Sequence, residues 1–299
     1  MSSSEGVQCG HGQQHQQQEA EENARIQEQL GRIGHKLLVM SGKGGVGKSS
    51  VAAYLALGLA KLGHRVGLLD VDLHGPSIPR MLGLEGVFAF SPEKRMIPHA
   101  YNEKLHVISI ECLLEDRDSA VIWRGPIKHG VIKQFVSDVE WGDLDFLVID
   151  SPPGTGDEPL SVIQTIPDAK SIIVTTPQEI ALADVRKSIN FCKQVHMPIL
   201  GLVENMSGFV CPHCNVETPL LGKGGGARTA NQMDIPFLGS LPFDPRMVQA
   251  SDAGKPLLEN PEASPLLTAL EHFTADVLKR CGNVGTLLKM CQGGGCPNK

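Results

Sequence analysis

Residues 42–49 read Gly-Lys-Gly-Gly-Val-Gly-Lys-Ser and fit the pattern G-x-x-x-x-G-K-S/T in full. A loop with so little side-chain bulk lets the backbone N–H groups of Gly44, Gly45, Val46, Gly47 and Lys48 converge on one point. At the positive end of a following helix, that point binds phosphate oxygens. Lys48 then reaches the β- and γ-phosphates, the Ser49 hydroxyl ligates Mg²⁺, and Gly42 and Ser50 bound the loop. Three acids have matching chemistry. Asp70 and Asp72, one residue apart, are able to serve Mg²⁺ and an attacking water or merely to close a strand, and Asp150 ends an apolar run as a Mg²⁺-shell carboxylate requires. Two thiols, Cys211 and Cys214, stand at the C-x-x-C spacing that lets one tight turn present both to a metal.

These groups need a scaffold that delivers strand ends to one edge. Leu37–Met40 is a short apolar strand leading into the glycine loop, and Ser50–Leu62 is an Ala- and Leu-rich helix stopped by Gly63. Further strands are expected at 65–69, 105–110, 145–150, 171–175, 199–203 and 235–240, with helices at 126–139 and 181–195 between them. In this reading Glu204-Asn205-Met206-Ser207 follows the strand that ends at Val203, and Leu241-Pro242-Phe243-Asp244-Pro245 follows the last strand. Strands alternating with helices predict an α/β fold: a doubly wound, mostly parallel sheet with helices on both faces, whose ligands bind at the C-terminal ends of the strands. The loop 151–157, rich in Pro and Gly, lies where a γ-phosphate would be sensed. Residues 19–33 have one apolar stripe at Ile26, Leu30 and Ile33 and predict a lead-in helix, and the amphipathic stretch 266–278 lacks a basic face and is expected to pack on the domain.

Composition narrows the class. The chain has 299 residues, 41% of them apolar, enough for one large domain between two tails. The expected division is a disordered tail over 1–18, a P-loop domain over 19–280 and a Cys/Gly-rich tail over 281–299. A formal net charge of −6 argues against a general electrostatic grip on nucleic acid or anionic lipid. The first 18 residues are rich in Ser, Gln and His, unlike a secretory signal, and no run is apolar for the roughly 18 residues that a membrane span needs. A cytoplasmic protein is expected. In that reducing compartment the eight cysteines point to metal or redox chemistry rather than to a disulfide framework. Cys112 and Cys192 read as core residues. Cys9, with His11 and His15, reads as part of a solvated tail, and Cys281, Cys291 and Cys296 as tail thiols.

Two thiolates rarely complete a metal site. A two-fold axis beside Cys211 and Cys214 would assemble four cysteines from two copies, a set that suits a bridging 4Fe–4S cluster or tetrahedral zinc equally well. A redox dithiol is the third option, but thioredoxin-like pairs open a helix after a strand, whereas this pair lies in a loop between Phe209 and Pro219.

The second lysine of the glycine loop, Lys43, gives the loop the form K-G-G-V-G-K-S, which resembles the deviant P-loop of the MinD, ParA and nitrogenase iron protein class. Further segments, D-V-D-L-H-G-P-S, D-S-P-P-G-T-G-D, E-N-M-S followed by C-P-H-C, and L-P-F-D-P, occur in order over about residues 37–250. Together they resemble the Mrp-type iron–sulfur cluster carrier ATPases. The resemblance implies a homodimer that binds and hydrolyses ATP with Mg²⁺, holds a labile 4Fe–4S cluster, and passes it to apo-proteins alongside other assembly proteins, with no nucleic acid or membrane as partner. It implies that Lys43 contacts nucleotide across the dimer, Lys48 and Ser49 hold phosphate and Mg²⁺, Asp72 positions the attacking water, and Asp150 lies in the Mg²⁺ shell. Asn205, Pro242 and Asp244 fall on nucleotide-binding positions, Asn205 as a purine-contacting amide, and Cys211 with Cys214 on the cluster. The N-terminal four-cysteine motif of one eukaryotic branch is not matched, since only Cys9 lies there. A MinD- or ParA-like positioning switch with a structural zinc is the rival reading, and an ATP-gated electron donor is a more distant one.

Overall fold

The structure, a computed structural model, describes residues 9–72, 75–113, 125–211, 213–214, 216–259 and 264–282. The expected disorder of residues 1–8, and the roles read for His74, Pro212, Cys291 and Cys296, fall outside this set, as do the side chains of Cys9, His11 and His15. The strands are β1 (Ile33–Ser41), β2 (Val66–Asp70), β3 (Ala89–Phe90), β4 (Met96–Ile97), β5 (His99–Ala100), β6 (Leu105–Ser109), β7 (Leu144–Asp150), β8 (Lys170–Thr175), β9 (Ile199–Val210), β10 (Glu217–Thr218) and β11 (Phe237–Phe243). The helices are α1 (Cys9–Gly31), α2 (Lys48–Lys61), α3 (Ile78–Met81), α4 (Gly125–Ser137), α5 (Asp157–Thr165), α6 (Glu179–Gln194), α7 (Gly225–Gln232), α8 (Pro245–Asp252) and α9 (Pro265–Arg280).

Nine strands form one sheet in the order β10-β9-β8-β1-β7-β2-β6-β5, with β11 also paired to β9. Every pairing among β1, β2, β6, β7, β8, β9 and β11 is parallel, and within this sheet the short strands β5 and β10 run antiparallel, while β3 and β4 pair antiparallel with each other. The central strands read as continuous apolar runs because both faces are covered. Alternate residues of β1 show this: Leu38 and Met40 join the core beneath α1, α4, α5 and α6, while Leu37 and Val39 join the core beneath α2 and α9. The doubly wound parallel sheet expected from the sequence is the observed fold.

Several boundaries differ from the sequence reading. Helix α1 begins at Cys9, well before Glu19. The run 11–18 lacks the apolar positions that mark a buried face, but its glutamines are good helix formers and the helix continues through them. Strand β9 does not stop at Val203: Glu204, Asn205, Met206 and Ser207 lie within it, and it continues to Val210. Likewise β11 runs through Leu241, Pro242 and Phe243, so that only Asp244 separates it from α8, which Asp244 caps and Pro245 opens. Cys281 is not a tail thiol. It is the C-cap of α9 and is 8% exposed, and burial raises its pKa. Cys112 and Cys192 are core residues as expected. Helix α9 buries Leu266, Leu270, Phe273, Val277 and Leu278, in keeping with the packing read from its apolar face.

Candidate functional site

The sheet order places the chemistry. β1 lies next to β7, and β7 next to β2, so the glycine loop that follows β1 sits beside the carboxylates that end the other two strands. The parallel register pairs Val39 with Asp150 and Asp70 with Asp150, which sets both acids at one level of the sheet. The loop 151–157 is tied to the same edge, where Ser151 N–H donates to the Val39 carbonyl at 3.2 Å and Gly154 N–H to the Ser41 carbonyl at 2.8 Å.

In the glycine loop, Gly45 and Gly47 both have φ of 78°, a left-handed conformation that side chains resist. Gly47 is constrained twice: a Cβ there would stand 2.3 Å from Asn205 Nδ2. Gly42 packs against the backbone of Asp184 on α6, where a Cβ would meet a carbonyl carbon at 2.4 Å. The loop thus holds its shape through close backbone approach, and α2 starts at Lys48 with its N–H groups facing a cleft of about 270 Å³. Lys43, Gly44, Gly45, Gly47, Lys48, Ser49, Ser50 and Asp72 line that cleft, together with Ser77 and Pro153 of the two acidic motif segments and Met81, which motif reading did not single out. Lys43, whose resemblance-based role is to reach a partner's nucleotide, lines the cleft of its own chain.

Lys48 is the electrostatic centre. Its Nζ lies 2.5 Å from Asp150 Oδ1, 3.7 Å from Asp72 Oδ2 and 3.3 Å from Ser49 Oγ, and it is almost fully buried. Asp150 is fully buried, and burial raises its pKa despite the neighbouring ammonium; among the described residues its Oδ2 has no hydrogen-bond partner. A buried carboxylate oxygen without a partner, beside a serine hydroxyl and a second carboxylate, is a set of hard oxygen donors that fits Mg²⁺.

Asp70 is a different kind of acid. It accepts the Asp72 N–H at 3.1 Å and the Ser109 hydroxyl at 3.0 Å, so it pins Asp72 beside the cleft rather than lining the cleft itself. Burial first, and the Asp150 charge second, push its pKa up from 3.8 to about 8. The folded state therefore retains a proton that the unfolded chain releases. Stability from this group is complete below the unfolded pKa and is lost as pH rises toward the folded value. In nucleotide-free, Mg²⁺-free protein we expect the melting temperature to decline between about pH 5 and pH 8. In Asp70→Asn, an isosteric copy of the protonated acid, that slope is expected to flatten. Parallel calorimetric pH profiles for the two proteins would remove this role from Asp70.

Asn205 and Glu204 of β9 show what motif reading missed. Asn205 Nδ2 donates to the Val46 carbonyl at 2.9 Å, so in this state the amide expected to contact a purine braces the glycine loop. Beside it, Glu204 is fully buried and accepts three hydrogen bonds, from Ser207 Oγ and from the N–H groups of Gly224 and Gly226. Pro242 and Asp244 lie outside the residues that line the cleft. Asp244 accepts the Arg246 N–H at 3.0 Å and pairs with the Arg246 guanidinium at 2.8 Å.

The thiol pair sits at the far end of β9, in the hairpin that returns along β10. Cys211 N–H donates to the Val216 carbonyl at 3.1 Å and closes the turn. The Cys211 thiol is held below its ordinary pKa by the N–H groups of His213 and then Cys214, with the Cys214 side chain adding to the effect. Cys211 is half-buried and Cys214 exposed, which gives thiolate character together with access. Among the described residues no group of three or more His, Cys, Asp or Glu is placed to hold a metal, so the pair stands as two thiols without further metal-ligating side chains.

Comparison with known proteins agrees with this geometry. Residues 32–278 match the family described as the NUBPL iron-transfer P-loop NTPases. The chain is 48% identical over 240 residues to the iron-sulfur cluster carrier protein of Methanocaldococcus jannaschii, an alignment covering 80% of this chain and 83% of that one. It is 50% identical over 250 residues to a cytosolic Fe-S cluster assembly factor, the NUBP2 homolog of Dictyostelium discoideum, covering 82% and 94% of the two. Among solved structures, a nucleotide-binding protein of Archaeoglobus fulgidus in complex with ADP superposes with a TM-score of 0.71 at 42% identity, covering 81% of this chain and 94% of that one. The cell division ATPase MinD of Pyrococcus furiosus superposes with a TM-score of 0.60 at 23% identity, covering 82% and 99%, and shares the fold.

Proposed function

Because this chain belongs to the NUBPL iron-transfer P-loop NTPase family, we propose that it is an ATP-hydrolysing carrier which holds a 4Fe–4S cluster between two copies and delivers it to apo-proteins in the cytoplasm. The observation that carries the reading is that one strand joins the two sites. Asn205 of β9 bonds the glycine loop, and Cys211, just past the end of the same strand, presents a thiol of lowered pKa.

The reaction is phosphoryl transfer to water, which needs positioning and charge neutralisation more than covalent help. Backbone N–H groups from Gly44 to Lys48 hold the phosphates, and Lys48 neutralises charge that grows on the γ-phosphate oxygens. Mg²⁺, held by Ser49 and Asp150, supplies further charge stabilisation when bound. Asp72, pinned by Asp70, orients the attacking water, and Lys43 acts across the dimer. The cluster is cargo. Cys211 and Cys214 supply two thiolates and the second copy supplies two more, which completes the four that such a cluster takes.

The test is anaerobic reconstitution followed by iron and sulfide analysis, then transfer to an apo-ferredoxin with and without ATP. The proposal expects about four Fe per two chains and a transfer rate that changes with nucleotide. Tight zinc in place of iron, with no cluster formed, would turn the thiol pair into a structural site and favour a positioning switch.

A further inference from the structure

The geometry points to Glu204 as the positioning residue that transmits the state of the nucleotide site to the thiol pair, an inference that rests on the carrier reading above and names how that site is regulated. The connection is continuous. Val46 of the glycine loop accepts from Asn205 Nδ2 at 2.9 Å. The preceding residue, Glu204, receives Ser207 Oγ at 2.5 Å and Gly224 N–H at 2.8 Å on Oε1, and Gly226 N–H at 2.5 Å on Oε2. Lys223, adjacent to Gly224, reaches both oxygens of Glu217 at 2.7 and 2.6 Å. Glu217 pairs with Val210 across the hairpin, one residue from Cys211.

Three features make this arrangement more than a structural cap. Glu204 is fully buried, and the groups that satisfy it are backbone N–H donors and one hydroxyl on segments that flank it, so moving β9 necessarily pulls on the start of α7. Contact is tight: a Cβ on Gly226 would come within 2.9 Å of Glu204 Cβ, and one on Gly208 within 2.7 Å of Glu217 Oε1. Third, the strand carries the unusual backbone at this point, with Met206 at φ 56° and Gly208 at φ 79°, between the residue that touches the glycine loop and the thiol turn. A non-glycine residue held left-handed stores backbone strain that its surroundings must hold, and strain of this kind gathers at switch regions.

Glu204 touches neither nucleotide nor cluster, so its variants separate transmission from chemistry. In Glu204→Gln one acceptor oxygen becomes an NH₂ group facing an N–H donor, and the three-way grip is broken with little change in volume. The experiment uses the full-length chain in its thiol form, treated with iodoacetamide with and without a non-hydrolysable ATP analogue, with alkylation at Cys211 and Cys214 read by peptide mass spectrometry. In the native protein the analogue is expected to change the alkylation rate several-fold, and in Glu204→Gln the two rates are expected to converge, while steady-state kcat and KM for ATP stay within about two-fold of native. A milder break, Lys223→Glu, is expected to weaken the response, and Lys223→Glu with Glu217→Lys to restore it. Equal responses in native and Glu204→Gln protein overturn the proposal, as does a native alkylation rate indifferent to the analogue. Iron and sulfide analysis of the native protein is the separate arm that tests the carrier reading itself: absence of a cluster there, with alkylation still gated through Glu204, would overturn the cargo and not the relay.

Discussion

Changing Cys211 or Cys214 to serine is expected to reduce bound iron and sulfide from about four Fe per two chains to less than a tenth of that after anaerobic reconstitution. A serine hydroxyl keeps its proton at neutral pH and does not replace a thiolate on iron. The loss is expected from either single change, because in the proposed carrier each copy contributes two ligands and removing one leaves both halves of the set incomplete. The fold is expected to survive. Cys214 is exposed and Cys211 half-buried at a hairpin tip, where substitutions usually shift stability by no more than about 0.5 kcal/mol. Steady-state ATP hydrolysis measured on the same preparations is expected to persist. Retention of full iron in both serine variants would place the cargo elsewhere.

Lys48→Met has the largest expected effect on turnover. Removing a cation aimed at charge that develops on the phosphate is expected to lower kcat by about 10³-fold or more. The methionine preserves the apolar stem while Asp150 loses its partner at 2.5 Å. Leaving a buried carboxylate uncompensated costs about 3 kcal/mol. Because burial already raises the Asp150 pKa, that acid takes up a proton as pH falls and the penalty shrinks. Single-turnover hydrolysis and calorimetry at pH 6 and pH 8 measure the two effects separately. Reconstituted iron is expected to match the native protein, since Lys48 does not touch the thiol turn. A variant that hydrolyses ATP at the native rate would remove Lys48 from the chemistry.

What could be read from the chain alone follows the range of the interactions involved. The glycine loop, the acids at strand ends and the thiol pair are local patterns; the sheet carries the loop and the acids to one edge as expected, while the thiol pair lies in the hairpin at the far end of β9. Strand β9 was legible only to Val203, because a glutamate and an asparagine normally end an apolar run. Both are buried here for a non-local reason. Gly224 and Gly226 bring N–H groups to Glu204 from about 20 residues away, and Val46 offers Asn205 a carbonyl across the sheet edge. Proline in Leu241-Pro242-Phe243 likewise reads as a strand terminator, yet β11 passes through it beside an irregular stretch of β9 where pairing shifts between Leu241 and Phe243. Cys281 was misplaced because three cysteines in a Gly-rich C-terminal region look alike by composition, whereas α9 draws the first of them into the core.

Pairing along β9 is uneven: β8 accompanies it only as far as Glu204, while β11 follows to Phe209. From Asn205 to Cys211 the chain advances by at most about 20 Å at the usual rise of a strand. An arm of that length, clamped at its root and free along part of one side, behaves as a lever. A tilt of about 10° at the root sweeps the tip through an arc of roughly 3 Å, more than the ~2.3 Å length of a metal–sulfur bond. Motion too slight to disturb the phosphate cradle is therefore enough, at the tip, to take a thiolate out of reach of the cluster proposed to sit there.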